Sequence, residues 1–309
     1  MTDILSSETG NEIFRDQPLR FFLPQRAVRG RAVRLDAVLD EILAAHDYPV
    51  AIKLVLAEAL VLATLLGSLL KSAGGQLTMQ AQSGQAQSET GVISLLVVDY
   101  RAGQLRGYAQ FDADRAAELG ANASLETLFG TGYLAITFDR DEGEGRYQGI
   151  VPIEGDSLAA ACQHYFFQSE QIPTLIKVAI SADEDDCRGA GLLLQHLPDG
   201  EIGRERLHVR HDHPEWEHAA ILAETLGHDE LLDNSLSMEQ LVWRLFHEEH
   251  EIRVEPGSML SRGCRCTLER YREILERFSE ADRSEMRDEN GVIKVDCAFC
   301  SRIFEIHGL

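Results

Sequence analysis

Cys264-Arg-Cys266 and Cys297-Ala-Phe-Cys300 are two tight thiol pairs near the carboxyl end, separated by 30 residues. Zinc prefers four soft donors in a tetrahedron, and two close pairs meeting from opposite sides supply that set. The intervening chain is long enough for a helix and a strand to bring the pairs together. Cys264, Cys266, Cys297 and Cys300 are therefore the expected ligands of one zinc ion. Four thiolates leave no open position for activating a water, which argues against a zinc hydrolase. Zinc-bound thiolates stay oxidisable, and sulfurs as close as those of Cys264 and Cys266 can couple. So small a ring is strained, which makes its disulfide easy to reduce again. Two readings stay open on these residues alone: a permanently closed structural zinc ribbon, and a reversible thiol switch.

Other residues with chemical potential read more plainly as structure. Cys162 sits within the apolar stretch Ala160 to Phe167, where a cysteine acts as a small hydrophobe. Cys187 follows Asp183-Glu184-Asp185-Asp186, and those carboxylates disfavour a thiolate. His208, His211, His213 and His218 lie in a polar stretch with no element to fix their directions, so they receive no ligand role. His247-Glu-Glu-His250 has its histidines three apart where the zinc-protease helix needs four. Gly130-Thr-Gly132 lacks the third glycine of a dinucleotide loop, and GxxxxGK[ST] is absent, so an ATP-driven mechanism has no support. No nucleophile and base pairing stands out either, and the chain is expected not to be an enzyme.

The elements that must carry the thiols follow from periodicity. After a polar start, Leu35, Val38, Leu39, Ile42, Leu43 and His46 recur at helical spacing, and Pro49 opens a long apolar helix reaching Lys71. Beyond Gly74-Gly75 the pattern alternates: Leu77, Met79 and Ala81 share a face, followed by strand runs at Val92 to Tyr100 and Leu105 to Phe111. Leu125 to Phe129 reads as a short helix. Leu134, Ile136 and Phe138 alternate into an acidic turn at Asp141 to Gly145 and return through Tyr147 to Ile153. Ser157 can cap a helix running to Ser169, with strands at Pro173 to Ser181 and Gly191 to Leu197.

The fold class is therefore α+β, in three parts: a mixed sheet-and-helix domain over 1–198, a helical acidic linker over 199–258 and a small zinc-binding domain over 259–309. The middle part holds 15 Asp or Glu against 5 Lys or Arg. Its narrow apolar stripes, Ile221, Leu222 and Leu226, then Leu241, Val242, Leu245 and Phe246, need a surface to dock on, and self-repulsion makes that docking marginal. Trp216 and Trp243, the two tryptophans of the chain, both lie there as reporters. In the last part, Leu268, Tyr271, Leu275 and Phe278 form one helical face, Asn290-Gly291 ends a second helical stretch, and Val292 to Val295 and Ile303 to Ile306 read as strands. A module this small rarely holds itself together by burial, and structural zinc contributes on the order of 10 to 16 kcal/mol to folding.

Charge narrows the partners. A formal net charge of -22, from 51 acidic and 29 basic residues, repels phosphate backbones and anionic membranes. Residues 259–309 hold 9 Lys or Arg against 10 Asp or Glu, without the basic stripe of a nucleic-acid binder. Leu54 to Leu70 is a 17-residue apolar run, short for a membrane span and interrupted by Glu58, so a buried core helix is expected. The acidic start from Met1 to Gln17 does not look like a secretory signal. A cytoplasmic setting is the expectation, and there paired thiols favour metal or redox chemistry over a disulfide framework.

Several separate blocks resemble the redox-regulated heat-shock chaperonin family, the 33 kDa chaperonins or heat shock protein 33. They are Phe14-Arg15, Val28-Arg29-Gly30, Tyr48-Pro49, Leu56-Ala-Glu58-Ala-Leu60 with Lys71, and Arg106-Gly107-Tyr108. Gly149-Ile150-Val151-Pro152, the segment Tyr165 to Thr174, Leu192 to Pro198 and Leu241 to Glu249 continue the likeness, which the CxC and CxxC pairs complete. Thr267 departs from it, standing where a serine is usual, and the linker is longer and richer in histidine. The resemblance implies an ATP-independent holdase in stress response, inactive while reduced and zinc-bound. It also implies oxidation to Cys264-Cys266 and Cys297-Cys300 disulfides with zinc release and linker unfolding. Its implied partners are unfolded, aggregation-prone client proteins, a second copy on activation and ATP-dependent foldases that take over the clients.

Overall fold

In a computed structural model, the chain is described over residues 15–70, 74–84, 91–140, 145–182, 186–197 and 212–308. Phe14, Lys71, the acidic residues of 141–144 and 183–185, Pro198, His208 and His211 lie outside the described residues.

The first two strands, β1 (Leu19–Leu23) and β2 (Val28–Leu35), form a hairpin around a 3-10 turn at Pro24–Arg26. They lie in the stretch expected to be a polar start, because Arg20 of β1 and Arg29 and Arg31 of β2 break the apolar run. Leu35 consequently ends a strand instead of beginning a helix. Helices α1 (Ala37–Leu43) and α2 (Val50–Gly67) follow. Pro49 precedes α2, and nearly every residue of that helix is buried, as expected of a helix apolar all round. It is long and apolar enough to cross a membrane, yet 78% of the stretch lies inside the protein.

The predicted alternation is realised in β3 (Gln76–Gln82), β4 (Ile93–Arg101) and β5 (Gln104–Phe111). Two short helices, α3 (Ala113–Ala117) and α4 (Leu125–Phe129), lead to the hairpin β6 (Tyr133–Asp139) and β7 (Arg146–Pro152). Ser157 caps α5 (Leu158–Tyr165) by accepting from the Ala160 N–H, and the chain then loosens into a π turn at Phe166–Glu170. Strands β8 (Thr174–Ala182) and β9 (Cys187–His196) pair antiparallel. Helices α6 (Pro214–Glu224), α7 (His228–Leu232) and α8 (Met238–Phe246) precede two short strands, β10 (Arg253–Pro256) and β11 (Ser261–Arg262). The terminal module is built of α9 (Leu268–Leu275), α10 (Glu280–Met286), β12 (Ile293–Asp296) and β13 (Ile303–Ile306).

The architecture is α+β, as composition and pattern imply. One sheet runs β10-β1-β2-β9-β8, the other β11-β5-β4-β3-β6-β7, and β12 with β13 makes a separate hairpin. Helix α2 lies between the two large sheets, touching β2, β8 and β9 on one side and β3, β4 and β5 on the other. The glycines of β9 permit this: a Cβ at Gly191 would stand 2.7 Å from a Val61 methyl of α2.

The other face of the first sheet is covered by the helices that follow it in sequence. Leu19, Phe21, Val28, Leu192 and Leu194 pack with Trp216, Leu226, Leu241, Val242 and Phe246 in a second core. Both faces of β2 and β9 are thereby buried, which explains the unbroken run Leu192-Leu193-Leu194. Arg34 crosses this interface as a buried guanidinium, donating to the carbonyls of Leu231 and Leu236 at 2.7 and 2.6 Å. Of the predicted stripe on α6, Ile221 points to solvent at 61% exposure, because the helix buries Trp216, Ala219 and Ala223 instead.

Candidate metal centre

The two cysteine pairs come together at one end of the terminal module. Cys264 and Cys266 lie between β11 and α9, while Cys297 and Cys300 form the turn between β12 and β13. That turn is closed by the Cys300 N–H to the Cys297 carbonyl at 3.1 Å and by the Ser301 N–H to the same carbonyl at 2.8 Å. Ser301 takes φ 56°, a left-handed conformation that lets the chain fold back behind the sulfurs. All four Sγ atoms lie within 4.8 Å of one another. The separations are 3.1 Å for Cys264 to Cys266, 3.5 Å for Cys264 to Cys297 and 3.4 Å for Cys266 to Cys300.

A tetrahedron with Zn–S of ~2.3 Å has edges of about 3.8 Å, whereas a disulfide is ~2.05 Å long. The sulfurs are thus spaced nearer to a shared four-coordinate ion than to covalent pairs, and the donor set suits a soft metal. These four residues could hold a metal ion. Once bound there, zinc would cross-link two loops of a module whose own core, among the described residues, is small: Leu275, Ile293 and Ile306 with Tyr271 and Val295 against them.

The thiols do not titrate alike. Burial raises Cys264 and Cys266. Burial opposes ionisation of Cys297 too, but hydrogen bonds from the Tyr271 hydroxyl, the Phe299 and Cys300 backbone N–H groups and Cys264 outweigh it and bring Cys297 down to about 6. Tyr271 was legible only as one member of an apolar helical face; its hydroxyl is the part that serves the site. A cavity of about 270 Å³ opens onto Cys264, Cys266 and Cys300 between Arg262 and Arg302, so small solutes can reach the sulfurs past two cations.

The residues inside each pair anchor the centre to the main body. Arg265, between the first two cysteines, donates to Gln76 at 2.7 Å and reaches Asp99 at 3.4 Å. Asp99 is almost wholly buried and also accepts from Arg106 at 2.7 Å and from the Thr78 hydroxyl at 2.6 Å. Between the second two, Phe299 makes an edge contact with Tyr108 at 4.8 Å, and the Ala298 carbonyl meets His46 Nε2 at 2.7 Å. Sequence reading missed this grip, because a residue between two cysteines carries no signal of what it touches across the fold.

The remaining candidates stand apart. Cys162 and Cys187 are buried in the main core, and burial raises the Cys162 thiol far above its ordinary value. His213 caps α6 and packs against His196 at 4.8 Å, while His218 meets Glu249 at 3.2 Å. His247 Nδ1 contacts the Arg244 carbonyl at 3.1 Å. Among the described residues a second close group, Asp36, Asp40 and Asp186, consists of carboxylates alone.

Comparison with known proteins agrees with this arrangement. The family described as "Hsp33 protein" matches residues 16–307. The 33 kDa chaperonin of Caulobacter vibrioides is 38% identical over 314 residues, covering 99% of this chain and 98% of the relative. That of Salmonella typhi is 36% identical over 286 residues, covering 92% and 90%. Among solved structures, the 33 kDa chaperonin (heat shock protein 33 homologue) of Thermotoga maritima superposes with a TM-score of 0.77 at 21% identity, covering 94% of this chain and 95% of that one, which speaks to the fold. With the match running across both sheets, the covering helices and the sulfur cluster, this chain belongs to the Hsp33 family.

Proposed function

We propose that the protein is a redox-regulated, ATP-independent holdase of the cytoplasm, held inactive while Cys264, Cys266, Cys297 and Cys300 share one zinc ion. The observation that carries this is the convergence of all four sulfurs within 4.8 Å on loops whose inner residues, Arg265 and Phe299, grip the main body. A change at the sulfurs is thereby felt at β4 and β5. The names of the relatives support the chaperone role, and their chaperonin designation is not that of an enzyme.

In the proposed switch, each disulfide forms from two thiolates, whose two electrons pass to hydrogen peroxide, which takes up two protons from solvent and leaves as two waters. Coupling Cys264 with Cys266 and Cys297 with Cys300 removes all four donors, so the site can no longer retain zinc. The short Cys264 to Cys266 separation of 3.1 Å supports the first pair, and the family resemblance supplies the second. Released from its clasp, the terminal module (259–309) unfolds and the acidic linker (199–258) leaves the first sheet of the amino-terminal domain (1–198). Phe21, Leu192 and Phe246 belong to the apolar surface this exposes. Unfolded clients bind there, a second copy associates, and clients later pass to ATP-dependent foldases.

The test treats reduced, zinc-loaded protein with peroxide at raised temperature and follows zinc release, disulfide connectivity by peptide mapping, and suppression of a model client's aggregation. Zinc release together with suppression supports the reading. Zinc loss without suppression removes the holdase assignment, and zinc retained throughout marks a permanently structural ribbon.

A further inference from the structure

In a chain with net charge -22, no carboxylate lines the opening onto the sulfurs. Among the described residues its lining is Cys264, Cys266 and Cys300 with Arg262 and Arg302, around a volume of about 270 Å³. Cys297, 3% exposed, does not line it. Each arginine is placed by main-chain bonds. Arg262 ends β11 opposite Leu105 of β5, and the next residue, Gly263, donates to the Leu105 carbonyl at 2.7 Å. The Arg302 carbonyl accepts from the Cys297 N–H at 3.0 Å, which ties that residue into the ligand turn.

Neither guanidinium is matched from within. Among the described residues Arg262 and Arg302 have no ion-pair partner, whereas Arg106 and Arg265 nearby share buried Asp99. Around Arg265 the charges are mainly of one sign: burial lowers it, Arg106, Arg101 and Arg270 push the same way, and Asp99 opposes them. The sulfur centre is itself anionic when loaded, since four thiolates exceed the charge of one divalent ion. Without compensation, such a centre on so acidic a protein would turn away any negative reagent. Two uncommitted guanidinium groups at its mouth lower that barrier where a reagent must pass.

We propose that Arg262 and Arg302 are specificity-determining residues of the thiol switch, drawing small peroxo anions to Cys264, Cys266 and Cys300 and so raising their rate relative to neutral peroxides. The proposal rests on the redox reading of the site. It needs no bound anion, because the charges act on approach: a unit charge about 6 Å away in water changes the local concentration of a monoanion about threefold. In the step that follows, a thiolate attacks the outer peroxide oxygen. The S–O bond forms, the O–O bond breaks, and its electron pair leaves on the acid anion, which is sulfate when the reagent is peroxymonosulfate. The sulfenic acid keeps the hydrogen of that oxygen. A second thiolate then attacks the oxidised sulfur, hydroxide leaves and the disulfide is complete, so the two electrons lost by sulfur are those gained by the peroxide.

The test uses full-length, reduced, zinc-loaded protein and measures second-order rates of zinc release and of thiol loss with peroxymonosulfate, a monoanion at neutral pH, and with neutral hydrogen peroxide. Their ratio within one variant cancels changes in stability or thiol reactivity. Arg302→Gln, at an exposed position, should lower the ratio about threefold, and Arg262→Gln combined with Arg302→Gln about tenfold. Arg277→Gln removes the same charge from a residue of the module that does not line the opening, and should leave the ratio as it is. Added sodium nitrate should lower the wild-type ratio toward that of the double variant. A carbon nucleophile that traps sulfenic acid should mark Cys264, Cys266 or Cys300 before Cys297. A ratio unchanged in the double variant, an equal fall in Arg277→Gln, or first trapping on Cys297 would each overturn the proposal and leave the redox reading standing. Zinc retained with both oxidants overturns the redox reading, and the proposal with it.

Discussion

The Arg106 guanidinium carbon lies 4.0 Å from the centre of the Phe299 ring. Arg106 is fixed from behind by buried Asp99, and Phe299 stands inside the Cys297 to Cys300 turn, so the sulfur cluster is attached to the sheet through a charged residue that cannot easily move away. Arg265 uses the same Asp99 from the other cysteine pair, which places both halves of the cluster on one buried carboxylate.

Phe299→Ala should therefore loosen the module without removing a sulfur. Cation–π and aromatic contacts of about 0.5 to 2 kcal/mol would be lost. Zinc content of the resting protein should stay full, while peroxide-driven zinc loss, followed with a colorimetric chelator, should become several-fold faster. An unchanged rate would show that docking does not restrain the switch.

Cys264→Ser should lower zinc content measured by elemental analysis and make residues 259–309 sensitive to protease, because the three-residue core of the module cannot replace a metal worth on the order of 10 kcal/mol. Cys162→Ala, in the main core, should keep its zinc. Equal metal content in both variants would count against the four-sulfur site.

The two tryptophans should report differently. Trp216 is 8% exposed and stacks near His196, whereas Trp243 is 62% exposed and rests on His247. If the covering helices leave the first sheet on oxidation, Trp243→Phe should retain the red shift of tryptophan emission and Trp216→Phe should lose most of it. A shift carried by Trp243 would indicate a different movement.

Glu58 sits on the central helix beside a cavity of about 340 Å³, and accepts from the Ala159 N–H at 2.9 Å at the start of α5. Burial raises its carboxyl from 4.5 to about 7, against the hydrogen bonds from Ala159 and Leu158. The folded form thus binds the proton more tightly than the unfolded one. Its stabilising contribution is complete below pH 4.5 and is lost as pH rises through about 7. The loss is at most on the order of 3 kcal/mol. Glu58→Gln should flatten that slope in denaturant titrations between pH 5 and 8, since the amide oxygen can still accept from α5; an unaltered slope would assign the pH dependence elsewhere.

Much of this was readable in the residues, for physical reasons that differ by element. The apolar run of α2, the alternation of β3 to β7 and the spacing of the cysteines are local signals, and the folded chain uses them as read. Strand β10 was invisible because all four of its residues are exposed at a sheet edge, where no alternation is required. On α6 the buried positions include Ala219 and Ala223, so the strongest apolar residue, Ile221, misled the reading of its inner face. The strand expected from Gly191 in fact starts at Cys187, and Gly189, which looks like a turn residue, is a place where α2 presses against it. The grip of Arg265 and Phe299 depends on Asp99 and Arg106, far away in sequence, and no local pattern encodes such a meeting.

The tail of the chain borders both large sheets, β10 lying antiparallel along β1 and β11 parallel along β5. Any event that frees this segment would strip a neighbour from each, baring rows of main-chain donors and acceptors at Leu19 to Phe22 and at Gln104 and Leu105. Such ladders accept any extended polypeptide regardless of its side chains, a form of stickiness indifferent to the identity of what it meets.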